Sequence, residues 1–279
     1  MQPMLPPPLS GYARAASQAA RAAGRLLAQH AGKPATVAMK RGINDLVTNI
    51  DRASEQAIHR ILHRAYPGFG FLGEERGGRR SASPYQWIVD PLDGTTNFVH
   101  GVPCFGVSIG LVHEGVRIVG VICDPIRRQL FVAAQGHGAF LNGKRLRVSR
   151  HRTLATSLLA TGFSAKFRRH PQPYARWFHA LESRTQAVRR MGSTALCLAY
   201  VAAGWLDGFY ERDLWPWDVA AGLLLVEEAG GRVTDFDGRS VVLSDGRVAA
   251  SNGWIHEELL RVLRGTSVTV KGWRAFESL

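Results

Sequence analysis

The chain has 279 residues, 46% apolar and 20% charged, a make-up that suits a globular domain with a core of its own. No apolar run approaches the ~18 residues of a membrane span, so no membrane is expected among its partners. Three cysteines in apolar stretches (Cys104, Cys123, Cys197) exclude a disulfide framework, and a balance of 35 Lys and Arg against 22 Asp and Glu, +13, favours anionic partners.

In chain order, residues 1–10 are proline-rich, with neither the basic nor the apolar stretch of a secretory leader. They read as a flexible N-terminus, and buried thiols point to a reducing, cytoplasmic setting. Residues 11–30 carry apolar positions at helical spacing that stop near Gly32 and Pro34. A second helix is expected over 46–66, where Val47, Ile50, Ile58, Ile61 and Leu62 mark one face ahead of Pro67-Gly68. Residues 69–72 and 87–89 are short apolar runs bounded by turn residues, strands of a buried sheet. Runs at 107–112, 116–123 and 129–134 form an antiparallel meander, and Asn142-Gly143 marks a tight hairpin within 138–148. Helix and strand then alternate: strand 154–161, helices 174–183 and 192–203, strand 209–211, helix 217–229, strands 232–236 and 248–251, helix 256–263. Residues 265–279 show no period and read as a tail. The pattern is α+β in layers, with no internal repeat.

Acidic residues are scarce, yet several stand where a strand ends in a turn. Glu74 follows the run at 69–72. Asp90 closes the strand at 87–89, with Asp93 one turn later in Asp90-Pro91-Leu92-Asp93-Gly94-Thr95-Thr96-Asn97-Phe98. Asp218 sits at the N-cap or first turn of the 217–229 helix, beside Trp215 and Trp217. An isolated carboxylate in such surroundings suffers a desolvation penalty of several kcal/mol, and several together also repel. Bound cations remove both objections, and clustered hard oxygens are what Mg²⁺ selects. Pro91 fixes its own φ, and Gly94 permits a turn that a β-carbon would block. The Leu92 carbonyl can then face the metal held by Asp90, while the N–H groups of Gly94, Thr95 and Thr96 open a short helix and cradle phosphate oxygens. An Asp-Gly pair alone would be an ordinary turn; the whole string behind a strand is far more specific.

The string at 90–98, Gly73-Glu74-Glu75, and the segment 217–231 together resemble the inositol monophosphatase family, within the Mg²⁺-dependent, Li⁺-sensitive sugar phosphatases. The likeness runs from about Lys40 to His256. It implies an alternating αβαβα layered sandwich of the inositol monophosphatase and fructose-1,6-bisphosphatase type, phosphomonoester hydrolysis and a homodimer. One domain over 1–279 follows, with a metal-site half at 11–150 and a substrate half at 151–264. By resemblance, Glu74, Asp90 and the Leu92 carbonyl hold a first metal, and Asp90, Asp93 and Asp218 a second, for two or three Mg²⁺ in all. Thr95 and Asp51 orient the attacking water together with Glu74. Gly94 and Thr95 donate to phosphate, Glu211 contacts the alcohol part, and Arg189, Gly192, Ser193 and Thr194 lie on the substrate side. Glu74, Leu92, Asp93 and Asp218 also face the substrate, and Lys40 matches a basic residue near the metal mouth.

Cations ~3.5–4 Å apart can deliver hydroxide to a dianionic ester and neutralise the leaving oxygen, so no protein nucleophile is needed. No Gly-Lys-Ser/Thr loop is present, and no cysteine or histidine pattern offers a rival scheme. The expected substrate is inositol 1-phosphate or a similar small polyol phosphate, with histidinol phosphate, fructose bisphosphate or nucleotide 3′-phosphate as alternatives. A role in contact with RNA or the transcription machinery is a reading of another class, compatible with +13.

Overall fold

A computed structural model describes residues 7–33, 37–42, 45–79, 82–164, 167 and 170–266. Residues 1–6 and 267–279 lie outside these, as does the side chain of Lys40; of the expected tail at 265–279, Gly265 belongs to the last helix and the rest beyond 266 is outside the described residues. The helices are α1 (Pro7–His30), α2 (Asn49–Ala65), α3 (Thr95–Val99), α4 (Pro171–Glu182), α5 (Thr194–Ala202), α6 (Pro216–Glu228) and α7 (His256–Gly265). They alternate with two large sheets, giving the five-layer αβαβα order. Helices α1 and α2 cover one face of an eight-stranded sheet, and α5 and α6 fill the space between that sheet and a five-stranded one. Helices α4 and α7 close the far side.

The patterning explains the layers. Helix α1 buries Ala16, Ala19, Ala20, Ala23 and Leu27 on one face, and small alanines let it lie close on the sheet. Helix α5 is buried at every position from Ala195 to Ala202 because it has sheets on both sides. In the eight-stranded sheet the meander Gly106–His113, Val116–Asp124 and Gln129–Ala134 pairs antiparallel, while Gly70–Gly73 runs parallel to Tyr85–Asp93. In the second sheet Leu158–Thr161 runs parallel to both Ala187–Arg189 and Gly208–Arg212.

Several boundaries differ from the sequence reading. The first helix starts at Pro7, four residues early, since proline is well suited to a first turn whose N–H groups have no partner anyway. The expected 46–66 helix starts only at Asn49: Asp45–Thr48 is a strand paired with Val37–Gly42, and Thr48 caps the helix. The 87–89 strand extends over Tyr85–Asp93, with a register irregularity between Asp90 and Asp93 that carries Pro91 without a ladder bond. The expected 154–161 strand opens with a 3₁₀ turn, Leu154–Thr156. Cys104, Cys123 and Cys197 are buried free thiols. Among the described residues no helix is long and apolar enough to cross a membrane.

Candidate active site

Three chain segments bring four carboxylates to one place at the ends of strands of the eight-stranded sheet. Glu74 leaves the end of Gly70–Gly73, its N–H bonded to the Val89 carbonyl of the neighbouring strand (3.2 Å). Asp90 and Asp93 come from the irregular end of Tyr85–Asp93 and are buried. Asp218 lies in the first turn of α6, where one carboxylate oxygen accepts the Trp215 N–H (2.7 Å).

Their electrostatics show the proximity. Burial drives Asp90 well above the usual carboxylate range, and the charges of Glu74, Asp93 and Asp218 push the same way. Burial and then Glu74 raise Asp218 similarly, against the Trp215 N–H. Asp93 is raised by burial to about 6 although Ser193, Ala195 and Thr194 all donate to it. These are buried, mutually repelling anions with only backbone and hydroxyl donors for compensation. Among the described residues no three Asp, Glu, His or Cys side chains already converge on one point at metal-ligating reach. The donor set is nevertheless all oxygen, four carboxylates and the Leu92 carbonyl, which fits a hard divalent cation such as Mg²⁺ and not a thiolate- or imidazole-seeking metal.

The second element is a hydroxyl–carboxylate pair. Thr95 Oγ1 stands 3.1 Å from Asp51 Oδ1 and 3.0 Å from the Leu92 carbonyl, both acceptors of its one proton. Asp51 is held still by its other oxygen, which accepts the Thr48 N–H (2.8 Å) and hydroxyl (2.5 Å) in a capping box at the start of α2. With the Thr95 proton directed at an acceptor, its oxygen lone pairs are free to orient a water.

Gly94 has φ +91°, and a β-carbon there would meet the Cys104 and Gly192 carbonyl oxygens at 3.0 Å. This packing sets the turn of α3 directly against Gly192. The N–H groups of Thr95, Thr96 and Asn97 precede the first helical bond, Phe98 N–H to the Gly94 carbonyl (3.1 Å), so they have no helical acceptor.

On the substrate side, Ser193 caps α5 and also donates to Asp93, while the Thr194 and Ala195 N–H groups reach the same carboxylate (3.2 and 2.9 Å). Asp93 thus joins the two halves of the chain. Thr194 donates its hydroxyl to Glu211 (3.0 Å), a residue buried at the end of Gly208–Arg212 and raised by burial to about 8. Arg189 is exposed at the end of its strand. Its neighbour Arg190 is the cation whose charge reaches Glu211, and its guanidinium lies over the Phe163 ring (4.9 Å).

Three positioning residues escape a reading of the sequence. Ser54 donates to the Pro91 carbonyl (2.9 Å) and pins the irregular turn. Glu55, fully buried, accepts the Glu75 N–H (2.8 Å) and faces Arg76 (3.6 Å), which holds the turn presenting Glu74. A β-carbon on Gly73 would collide with that carboxylate. Asn97 donates to the Cys104 and Met191 carbonyls (2.7 and 2.8 Å), tying the α3 turn to the approach to α5. Asp51, Ser54 and Glu55 fall at the helical spacing of Ile58 and Leu62, and polar residues on a core-facing stripe were the available signal.

Comparison with known proteins gives the family and the fold. The sequence model of the Inositol monophosphatase family matches residues 9–267. The Nus factor SuhB of Pseudomonas aeruginosa is 42% identical over 270 residues, covering 95% of this chain and 97% of that protein. An inositol-1-monophosphatase of Mesorhizobium japonicum is 44% identical over 249 residues, covering 88% and 94%. Among solved structures, the extragenic suppressor protein suhB of Bartonella henselae superposes with a TM-score of 0.86 at 42% identity, covering 90% of this chain and 97% of that one.

Proposed function

The chain belongs to the inositol monophosphatase family and is a phosphomonoester hydrolase, and from that premise we propose that it hydrolyses inositol 1-phosphate or a similar small polyol phosphate with Mg²⁺. The observation that carries this reading is the gathering of Glu74, Asp90, Asp93 and Asp218, from three segments, beside the Thr95–Asp51 pair. Glu74, Asp90, the Leu92 carbonyl, Asp93 and Asp218 would hold the ions, which supply Lewis acidity and an activated water. Asp51 holds the Thr95 hydroxyl proton, so that Thr95 Oγ1 accepts a hydrogen bond from water and aims it. The free N–H groups at the α3 turn bind and orient the phosphate. Glu211 and Thr194 offer an acceptor and a hydroxyl to the alcohol part, which suits a polyol. Gly192, Ser193 and Arg189 line the same side. The reading extends to inhibition by Li⁺, a homodimer and a cytoplasmic setting, as the family likeness implies.

A panel of phosphate monoesters assayed for phosphate release with Mg²⁺, with EDTA and with Li⁺ tests it. Release from inositol 1-phosphate with the highest kcat/KM, abolished by EDTA, is expected. A larger kcat/KM for histidinol phosphate, fructose bisphosphate or a nucleotide 3′-phosphate reassigns the substrate, and no metal-dependent release from any of them overturns the proposal. A second role, contact with the transcription machinery, is supported by the name Nus factor borne by close relatives and by the charge of +13.

A further inference from the structure

The first helical layer carries a charge pattern that catalysis does not use. Helix α1 contains no acidic residue, and the two acids of α2, Asp51 and Glu55, are buried toward the site. Six arginines stand exposed on these helices: Arg14, Arg21 and Arg25 on α1, and Arg52, Arg60 and Arg64 on α2. None forms a hydrogen bond or ion pair with another described residue. Elsewhere some surface arginines are neutralised, as in Arg117–Glu227 (2.7 Å), Arg232–Glu257 (2.7 Å) and Arg247–Asp237 (3.3 Å), while others, such as Arg128 and Arg176, also have no acid partner among the described residues. What sets the first helical layer apart is that its exposed arginines share a face with no exposed acidic residue of either helix.

The arrangement is linear. At 100° per residue, Arg14, Arg21 and Arg25 fall within about 40° of one another round α1 and span ~16 Å of its axis. The two helices pack together with opposed directions. Gly11 at the start of α1 lies against the Tyr66 hydroxyl just past the end of α2, and the Tyr12 and Tyr66 rings meet edge-on at 5.0 Å. Burial raises the Tyr66 pKa, and the charge of Arg14 acts on it in the opposite sense, which puts Arg14 at the Arg64 end of α2. The result is a row of guanidinium groups along the outer face of α1, with Arg60 and Arg64 beside it on α2, about 40° apart, and Arg52 turned about 80° from Arg60; none has an acid partner among the described residues. Besides the arginines, the exposed residues are Gln18, Ala28 and Gln29 on α1 and Asn49, Gln56, His63 and Ala65 on α2. Among the described side chains no large apolar one is exposed on either helix, whereas a helix that settles on a lipid surface needs an apolar side to bury. A linear polyanion with hydrogen-bonding groups is the matching partner, and duplex DNA presents about ten phosphates over the same ~16 Å.

We propose that the outer face of α1 and α2 is a docking surface for the phosphodiester backbone of a nucleic acid, contacted without regard to base sequence. The inference stands on the surface charge alone and needs neither the phosphatase reading nor the named relatives.

Fluorescence anisotropy with a labelled 30-nucleotide RNA, and with a duplex DNA of the same sequence, tests it over a range of salt. Wild type should bind at low salt with a linear fall of log K against log[salt]. The Arg14→Gln, Arg21→Gln, Arg25→Gln triple variant should bind at least tenfold more weakly and lower the slope by about 2 to 3, at ~0.7–0.9 per phosphate contact. Its small-substrate phosphatase activity should be unchanged, which also reports an intact fold. A charge-matched control, Arg176→Gln, Arg184→Gln, Arg261→Gln, alters exposed arginines on or beside α4 and α7 and should bind as wild type does. Equal losses in the two triples would assign the effect to net charge and overturn the proposal. So would an unchanged slope in the first triple, no binding by wild type to either probe, or binding to phosphatidylserine vesicles in place of nucleic acid. Asp90→Asn should keep nucleic-acid binding while losing phosphatase activity, so failure of one reading is visible apart from the other.

Discussion

Two buried polar regions of this molecule follow opposite designs. Around His256 every polar atom has a partner. The Thr234 hydroxyl gives its proton to the Asp235 carbonyl (2.6 Å), so its oxygen accepts from His256 Nε2 (2.9 Å), and Ser251 donates to Nδ1 (2.8 Å). The ring is neutral, with its pKa lowered by burial to about 4. Around Asp90 the buried groups are anions whose largest perturbation, after burial, is one another. The first region stabilises the five-stranded sheet as folded; the second is costly until a counter-charge arrives. A fully paired buried network reads as structure, and a buried cluster of like charge reads as a binding site.

The comparison can be broken most severely at Asp90. Asp90→Asn keeps an oxygen to accept the Leu92 N–H (2.9 Å) and removes the charge. Turnover should fall at least about 1,000-fold, ~4 kcal/mol of barrier, while the metal-free protein melts no lower than wild type. Substantial residual kcat would remove Asp90 from the site. Asp93 is a poorer choice for this test, because its carboxylate also accepts from Ser193, Thr194 and Ala195 at the start of α5.

Next in size is the pH dependence, where the two regions have opposite signs. Asp93, raised to about 6, keeps its proton in the metal-free fold at pH values where the unfolded chain has lost it. Its contribution therefore destabilises as pH climbs from about 4 to 6, by roughly 3 kcal/mol. Mg²⁺ should accordingly raise the melting temperature more at pH 7.5 than at pH 5, as calorimetry with Mg²⁺ or EDTA would show. An equal shift at both values would mean that these carboxylates are not the ones the ion relieves.

His256 sets a test of similar size and opposite sign. Its pKa in the fold lies below the unfolded value, so the unfolded chain takes up the proton first. Stability should be complete above about pH 6.5 and fall as pH drops toward 4, by roughly 3 kcal/mol. His256→Gln should lower stability at neutral pH and flatten that acid limb in denaturant titrations run with saturating Mg²⁺. An unchanged limb would place the acid sensitivity elsewhere.

Much of the candidate site was legible because its information is local. Asp90 to Phe98 is one uninterrupted string, in which Pro91 and Gly94 have conformational roles visible in a single line of residues, and the helix behind Asp218 is apolar from Val219 to Val226. The stretch at 45–48 misled because its apolar residues continue the helical spacing of α2, whereas pairing with Val37–Gly42 decides that it is a strand. Ser54 on the Pro91 carbonyl and Ser193 on Asp93 span 37 and 100 residues, and no periodicity carries such a signal.

From the sequence alone come the layered α+β class, the oxygen-donor chemistry and the basic balance, since residue type, spacing and turn preference are properties of neighbouring residues. Tertiary structure decided which carboxylates face one another, which are held by hydroxyl and amide donors, and which arginines have no acid within reach among the described residues. Burial and distance govern those outcomes, and neither exists until separate segments pack together.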